Sequence, residues 1–241
     1  SKTTTLSSII GHINAEGINI MTLEDPVEYP MPLIRQTAVS EAARLDFANG
    51  VRAMLRQDPD VILVGEIRDA DTARMAFQAA MTGHQVYATL HTSSAIGAIP
   101  RLLDIGILPD IMAGNIIGII AQRLVRRLCV HCKIPYQAEA HEARLLGSLA
   151  EGNARPVIYR PEGCERCDFQ GYRGRLAIME LLRVTGDMDE LIARRSTVRE
   201  MRQLAIQQGF TTLADDGLRR VLDGTTSLEE VGRVVDLTDR M

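Results

Sequence analysis

The 241-residue sequence contains no tryptophan, only four phenylalanines and five tyrosines, and no apolar run long enough to cross a bilayer. Scarcity of aromatics removes the stacking platforms on which single-stranded nucleic acid is held. A net charge of −4 and an isoelectric point near 5.8 leave no broad electrostatic footprint for DNA or RNA, only room for local basic patches. The longest apolar stretch, "IMAGNIIGIIA" at 111–121, is interrupted by Asn115 and two glycines, and falls short of the roughly 20 residues that span a membrane. The first residues lack the basic-then-apolar pattern of a secretory signal. No tract is of low complexity and no repeat recurs at a fixed period. Hydrophobic residues make up 46% of the chain, ample for a buried core. These bulk properties predict a soluble, globular, cytoplasmic protein of one large domain or two small ones.

What is present begins with an incomplete pattern. Lys2-Thr3 matches only the last two letters of the phosphate-binding loop G-x-x-x-x-G-K-[ST], in which glycine amides cradle phosphates, Lys reaches the outer oxygens and the hydroxyl holds Mg²⁺. Standing alone, the pair reads equally well as the capped start of a helix. If it is such a loop, the chain is expected to be a fragment that lacks the loop's glycines.

Three short apolar segments rich in β-branched residues, at 18–24, 61–64 and 86–90, are separated by helix-length stretches. That alternation predicts a mostly parallel sheet covered by helices placed at 3–14, 46–57 and 69–82. Residues 110–128 read as a further helix, after which Cys, Pro and Gly punctuate the chain and set a boundary near 128. From about 185 the chain reads as helical again, with "TVRE" at 197–200 and "SLEE" at 227–230 matching the capping box. The expected organisation is an α/β core over 1–128, a cysteine-bearing element with a return strand over 129–184, and a small helical bundle over 185–241.

Each predicted strand ends in groups able to handle phosphate. "VILVGEIRD" at 61–69 runs a buried strand into Gly65-Glu66, and the carboxyl ends of parallel strands are where ligands bind. A carboxylate there either holds Mg²⁺ or its water, or is a plain surface Glu. "TLEDPVEY" at 22–29 supplies Glu24, Asp25 and Glu28 around Pro26, either to orient an attacking water or as an acidic turn. "TGHQVYATLHT" at 82–92 flanks the third strand with His84 and His91, an imidazole being able to hydrogen-bond a terminal phosphate.

Taken in order, the Lys2-Thr3-Thr4-Thr5 remnant, "TLEDPVEY", "VILVGEIRD" and "TGHQVYATLHT" resemble the Walker A, Asp, Walker B and His boxes of the type II secretion and type IV pilus-assembly ATPases. The resemblance spans nearly the whole chain and implies a RecA-like P-loop NTPase core that hydrolyses ATP with Mg²⁺. It implies that Lys2, Thr3 and Thr4 contact the nucleotide and Mg²⁺, that Glu28 polarises water, that Glu66 is the Walker B carboxylate, and that His84 and His91 form the His-box pair. The roles of Glu28 and Glu66 could be partly exchanged. The sequence departs from the family at the missing glycines and at Ser93, where Asn is frequent. Members carry an upstream domain that looks to supply arginines to the site. Implied partners are further copies of the chain in a hexameric ring, an inner-membrane platform protein and a cytoplasmic adaptor. That places the protein in the cytoplasm, held at the inner membrane through those partners.

All four cysteines fall in two C-x2-C knuckles, "CVHC" at 129–132 and "CERC" at 164–167, separated by 31 residues. Two such knuckles predict a thiolate cage for Zn²⁺ made by Cys129, Cys132, Cys164 and Cys167, in preference to disulfides or a redox pair. His131 and Asp168 read as bystanders. A tetracysteine element resembles that of secretion and pilus-extension ATPases, which implies assembly over retraction. Arg123, Arg126 and Arg127 face phosphate, a neighbouring subunit or solvent. Two other functions fit the same residues: a zinc-stapled assembly module inactive in hydrolysis, and a RecA-like motor that translocates nucleic acid, although the charge and the few aromatics argue against nucleic acid as a partner.

Overall fold

The structure, a computed structural model, describes residues 2–238. It divides into two compact units. One runs to Ile119 and takes in Leu182–Gln208; the other covers Ile120–Leu181 and continues from Gly209.

In the first unit, α1 (Lys2–Ile13), β1 (Ile20–Glu24), β2 (Arg35–Ala38), α2 (Phe47–Met54), β3 (Val61–Val64), α3 (Ala70–Met81) and β4 (Gln85–Ala88) follow one another. The strands make one parallel sheet in the order β2-β1-β3-β4. β1 and β3 are buried along their whole length, as central strands covered on both faces must be. Leu6, Ile10 and Ile13 of α1 pack with Ile20, Val61 and Leu63 on one face. α2 and α3 cover the other, where the bare backbone of Gly50 lets the Leu23 side chain approach. Asp46 and Asp69 cap α2 and α3 by accepting from the amides of Asn49 and Thr72.

α4 (Ala98–Ile105) and the short α5 (Pro109–Met112) complete this stretch. The helix expected over 110–128 does not continue past Met112. Gly114 adopts a left-handed φ of +82°, and Gly118–Leu128 is strand β5. The difference has a physical source: the buried residues Ala121 and Val125 are four apart, a spacing that shares one face of a helix and of a strand alike. Ile116, Ile117, Ile119 and Ile120 tip the balance toward the extended form, and a partner strand completes it.

β6 (Ile134–Gln137), α6 (Ala140–Leu146), β7 (Val157–Arg160) and β8 (Tyr172–Arg183) come next. β5 pairs with β8, and β6 with β7 in antiparallel register. Of the last four helices, α7 (Gly186–Ala193) and α8 (Val198–Gln207) belong to the first unit, α9 (Leu213–Leu222) and α10 (Leu228–Val234) to the second. Ala138, Leu146, Ile158, Leu218, Val221 and Val231 form the second unit's core.

Both expected helix starts form, with one difference. Thr197 and Glu200 make the reciprocal capping box, whereas at 227–230 only Ser227 caps. The Glu230 side chain turns away to accept from Arg126 and Arg233 at 2.8–3.2 Å, and the Arg126 guanidinium lies 4.2 Å over the Tyr172 ring. Glu230 is fully buried, so two arginines outcompete a single backbone amide for it. Among the described residues no helix is long and apolar enough to cross a membrane.

Candidate functional site

β1 and β3 pair in register, so Glu24-Asp25 and Gly65-Glu66 meet at the carboxyl edge of the sheet, the edge where open parallel sheets bind ligands. Position 65 must be glycine: a Cβ would lie 2.9 Å from the Leu23 carbonyl oxygen and 3.2 Å from Glu24 Cα. The Gly65 amide instead donates to that Leu23 oxygen at 2.7 Å. Ile67 is buried and its amide donates to the Thr89 carbonyl at 2.9 Å. The extended chain therefore turns Glu66 and Arg68 to one side and Ile67 into the core.

A cleft of about 190 Å³ opens at this edge. Lys2 and Thr3 line it from α1, Glu24, Asp25 and Glu28 from the end of β1 and the turn beyond, Glu66 from the end of β3, and His91 from the loop after β4. Lys2 Nζ donates to the Leu90 carbonyl at 3.3 Å and lies 3.4 Å from His91 Nδ1. The Thr3 hydroxyl donates to Glu28 Oε1 at 3.3 Å. Glu66 pairs through Oε1 with His91 Nε2 and accepts at Oε2 from Arg68 Nε at 2.5 Å. Burial works to raise the Glu66 pKa, but the hydrogen bond and charge of Arg68, joined by His91, outweigh it and hold the carboxyl below its ordinary value.

Two further side chains shape the cleft without having been singled out in the sequence. Arg68 also reaches Asp25 at 3.8 Å. Gln36 donates to the buried Glu24 at 3.0 Å and to the Tyr29 carbonyl at 2.9 Å, and accepts from the Met31 amide at 2.7 Å, so it tethers the loop that carries Glu28. Arg68 had a visible signal, its place inside "GEIRD"; Gln36 had none, because its partners come from both ends of an irregular loop.

Not every expected residue gathers there. Thr4 is exposed, its carbonyl accepting from Ser8. His84 precedes β4 and is bonded to the Ala79 carbonyl at 3.0 Å and Thr82 Oγ1 at 3.1 Å. The four residues of β4 hold it apart from His91, about 13 Å of strand.

In the second unit the four cysteine sulfurs lie within 4.8 Å of one another, and none is in a disulfide. Cys129 Sγ is 3.9 Å from Cys164 Sγ, and Cys132 Sγ is 3.8 Å from Cys167 Sγ. Backbone amides point at the cluster: Gly163 donates to Cys132, and Cys164 and Gly171 to Cys167, each at 3.3 Å. Burial raises the Cys167 thiol's pKa, yet these amide donors overcome it and bring the value down to about 7. Gly171, at φ +74°, admits the close approach of Pro161, whose Cβ would stand 2.4 Å from an added methyl. Four converging thiols with amide donors behind them fit a tetrahedral thiophilic metal such as zinc. His131 lies beside the Arg166 guanidinium at 3.1 Å.

The fold defines an α/β protein with a parallel sheet and a cleft carrying charged groups at its strand ends. The chain belongs to the Type II/IV secretion system protein family, whose model matches residues 1–233. It is 49% identical over 233 residues to the type II secretion system protein E of Pseudomonas aeruginosa, a match covering 97% of this chain and 46% of that protein. It is 46% identical, over the same shares, to the type II secretion system ATPase E of Vibrio cholerae. To the type IV pilus assembly ATPase PilB of Thermus thermophilus it is 46% identical over 95% of this chain and 26% of that protein. The chain thus spans half or less of the length of these relatives. Among solved structures, the pilus retraction motor PilT with bound ADP superposes with a TM-score of 0.70 at 28% identity, covering all of this chain and 59% of that one.

Proposed function

We propose that the chain is the RecA-like motor part of a type II secretion or type IV pilus assembly ATPase, coupling ATP hydrolysis to assembly of a pilus or pseudopilus. The observation that carries this reading is the convergence of Lys2, Thr3, Glu28, Glu66 and His91 on one cleft, supported by family membership and by relatives named as ATPases. In this reading Lys2 and Thr3 take the phosphates, and Glu28, already hydrogen-bonded to Thr3, orients the attacking water. Glu66 and Thr3 would hold Mg²⁺, which when bound neutralises charge developing on the phosphates. His91 sits between Lys2 and Glu66, so a phosphate that draws Lys2 away also frees His91 to contact it. Thr4 and His84 would act from outside the cleft, on its support.

The cysteine cluster would hold Zn²⁺ in a structural role within 129–184, and the C-terminal helical segment would be built from α7, α8, α9 and α10. The tetracysteine element favours an assembly motor over a retraction motor. The active form would be a hexameric ring in the cytoplasm, bound to an inner-membrane platform protein and a cytoplasmic adaptor, with no nucleic-acid partner. Mg²⁺-dependent ATP hydrolysis by the purified chain, beside Glu28→Gln, tests the proposal: the variant should keep its fold and nucleotide affinity while turnover falls by about 10²- to 10⁴-fold. A folded chain that binds no fluorescent ATP analogue in Mg²⁺ would overturn it.

A further inference from the structure

We infer that Arg68 is a positioning residue, a two-armed clasp that aims the Glu66 carboxylate into the cleft and ties it to the Asp25 turn. The inference rests on the nucleotide reading of that cleft. Each neighbour in "GEIRD" does a different job. Gly65 admits the close approach to β1, Ile67 anchors the segment in the core, and Asp69 accepts from Thr72 to cap α3. Arg68 is thereby held between a buried residue and a helix cap, so its backbone has little room to move. Its Nε donates to Glu66 Oε2 while its terminal nitrogen reaches Asp25 Oδ2. A planar guanidinium serves two carboxylates at fixed angles, which an ammonium cannot do.

The clasp occupies one oxygen of Glu66, and His91 the other. If nucleotide releases His91, Arg68 alone fixes which way the carboxylate faces. Asp25 begins the turn that carries Glu28, so the same guanidinium joins the two segments whose acidic groups must act together on one phosphate. Arg68 itself is largely exposed, at 60% of its side-chain surface. It therefore adds little to folding stability, and its loss should be felt in geometry.

The test compares Arg68→Ala and Arg68→Lys with the unaltered chain by steady-state hydrolysis, by Mn²⁺-ATP binding followed by electron paramagnetic resonance, and by ¹⁵N NMR of the nucleotide-free protein. For Arg68→Ala we expect kcat to fall on the order of 10²-fold, the cost of a carboxylate misplaced by about 1 Å, with Mn²⁺-ATP affinity undiminished because the freed oxygen can still meet the cation. Arg68→Lys should recover part of kcat. In the unaltered chain the Arg68 Nε–H signal should be protected from solvent exchange, and the protection should vanish in Glu66→Ala. Unchanged kcat in Arg68→Ala would overturn the inference, as would a parallel fall in kcat and Mn²⁺-ATP affinity. An unprotected Arg68 Nε–H would overturn it even in a chain that hydrolyses no ATP. Absent hydrolysis with a protected Nε–H would instead sink the motor reading and leave the clasp standing.

Discussion

In the cleft, Lys2, Glu28, Glu66 and His91 arrive from four separate elements between residue 2 and residue 91, and only a formed sheet brings them together. In the cysteine cluster, the sulfurs arrive from two turns whose C-x2-C spacing already forces each pair to one side. The cleft's charged side chains stand beside an apolar wall of Leu6, Met31, Phe47 and Leu63, and His91 and Asp25 are largely exposed; the thiols are half-buried or buried and backed by amides. A site assembled by long-range pairing is adjustable but depends on the whole sheet. A cluster assembled by two local turns depends mainly on its own loops.

The sharpest way to break this contrast is to remove the metal. If zinc holds the cage, a strong chelator or Cys129→Ser with Cys164→Ser should destabilise the second unit by on the order of 10 kcal/mol, visible as an early separate melting transition. Nucleotide binding at the first unit's cleft should survive. Loss of both together would erase the distinction.

A smaller effect is expected at Glu230, the second unit's other concentrated charge. Burial opposes its ionisation, but hydrogen bonds from Arg233 and Arg126 prevail and depress its pKa from 4.5 to about 2. A folded value below the unfolded one contributes stability that is complete above about pH 4.5 and is lost as pH falls toward 2. Glu230→Ala should cost about 3 kcal/mol in urea unfolding at neutral pH, the loss of its charge-assisted hydrogen bonds to two half-exposed arginines. It should also flatten the acid limb of stability against pH between those two values.

In the first unit, Gly65→Ala should cost about 1–3 kcal/mol, since the new methyl must push aside the Leu23 carbonyl rather than a flexible side chain. Nucleotide affinity should drop with it, measured by fluorescence titration, as β1 and β3 separate at the cleft. The smallest effect belongs to His84→Ala. With β4 between the two histidines, its turnover should fall less than that of His91→Ala, and equal losses would mean that support from outside the cleft matters as much as contact within it.

Much of this was legible beforehand. "VILV" and "INIMTLE" read as strands because they are short, largely apolar or β-branched and set apart by helix-length stretches, and as β1 and β3 they are buried along their length. The family was visible in the order of its four boxes, and the matching family model bears it out. The spacing over 118–128 fits helix and strand alike, because residues four apart share a face in both, and pairing with β8 decides for the strand. Glu230 was expected to close a capping box, a local rule that lost to two arginines brought in by tertiary packing. Gln36 acquires meaning only through partners that the chain reaches by folding, as does the Asp25 arm of Arg68.

The sequence by itself determined the parallel α/β core, the family and the pairing of the four cysteines in two knuckles, because each is written in periodicity, motif order or short-range spacing that survives in any conformation. Tertiary structure alone decided that His91 but not His84 lines the cleft, that Arg68 bridges Glu66 and Asp25, and that residues 118–128 are extended. Each of those outcomes depends on which backbone lies alongside, and strand pairing, unlike a turn or a helix cap, is settled between residues far apart in the chain.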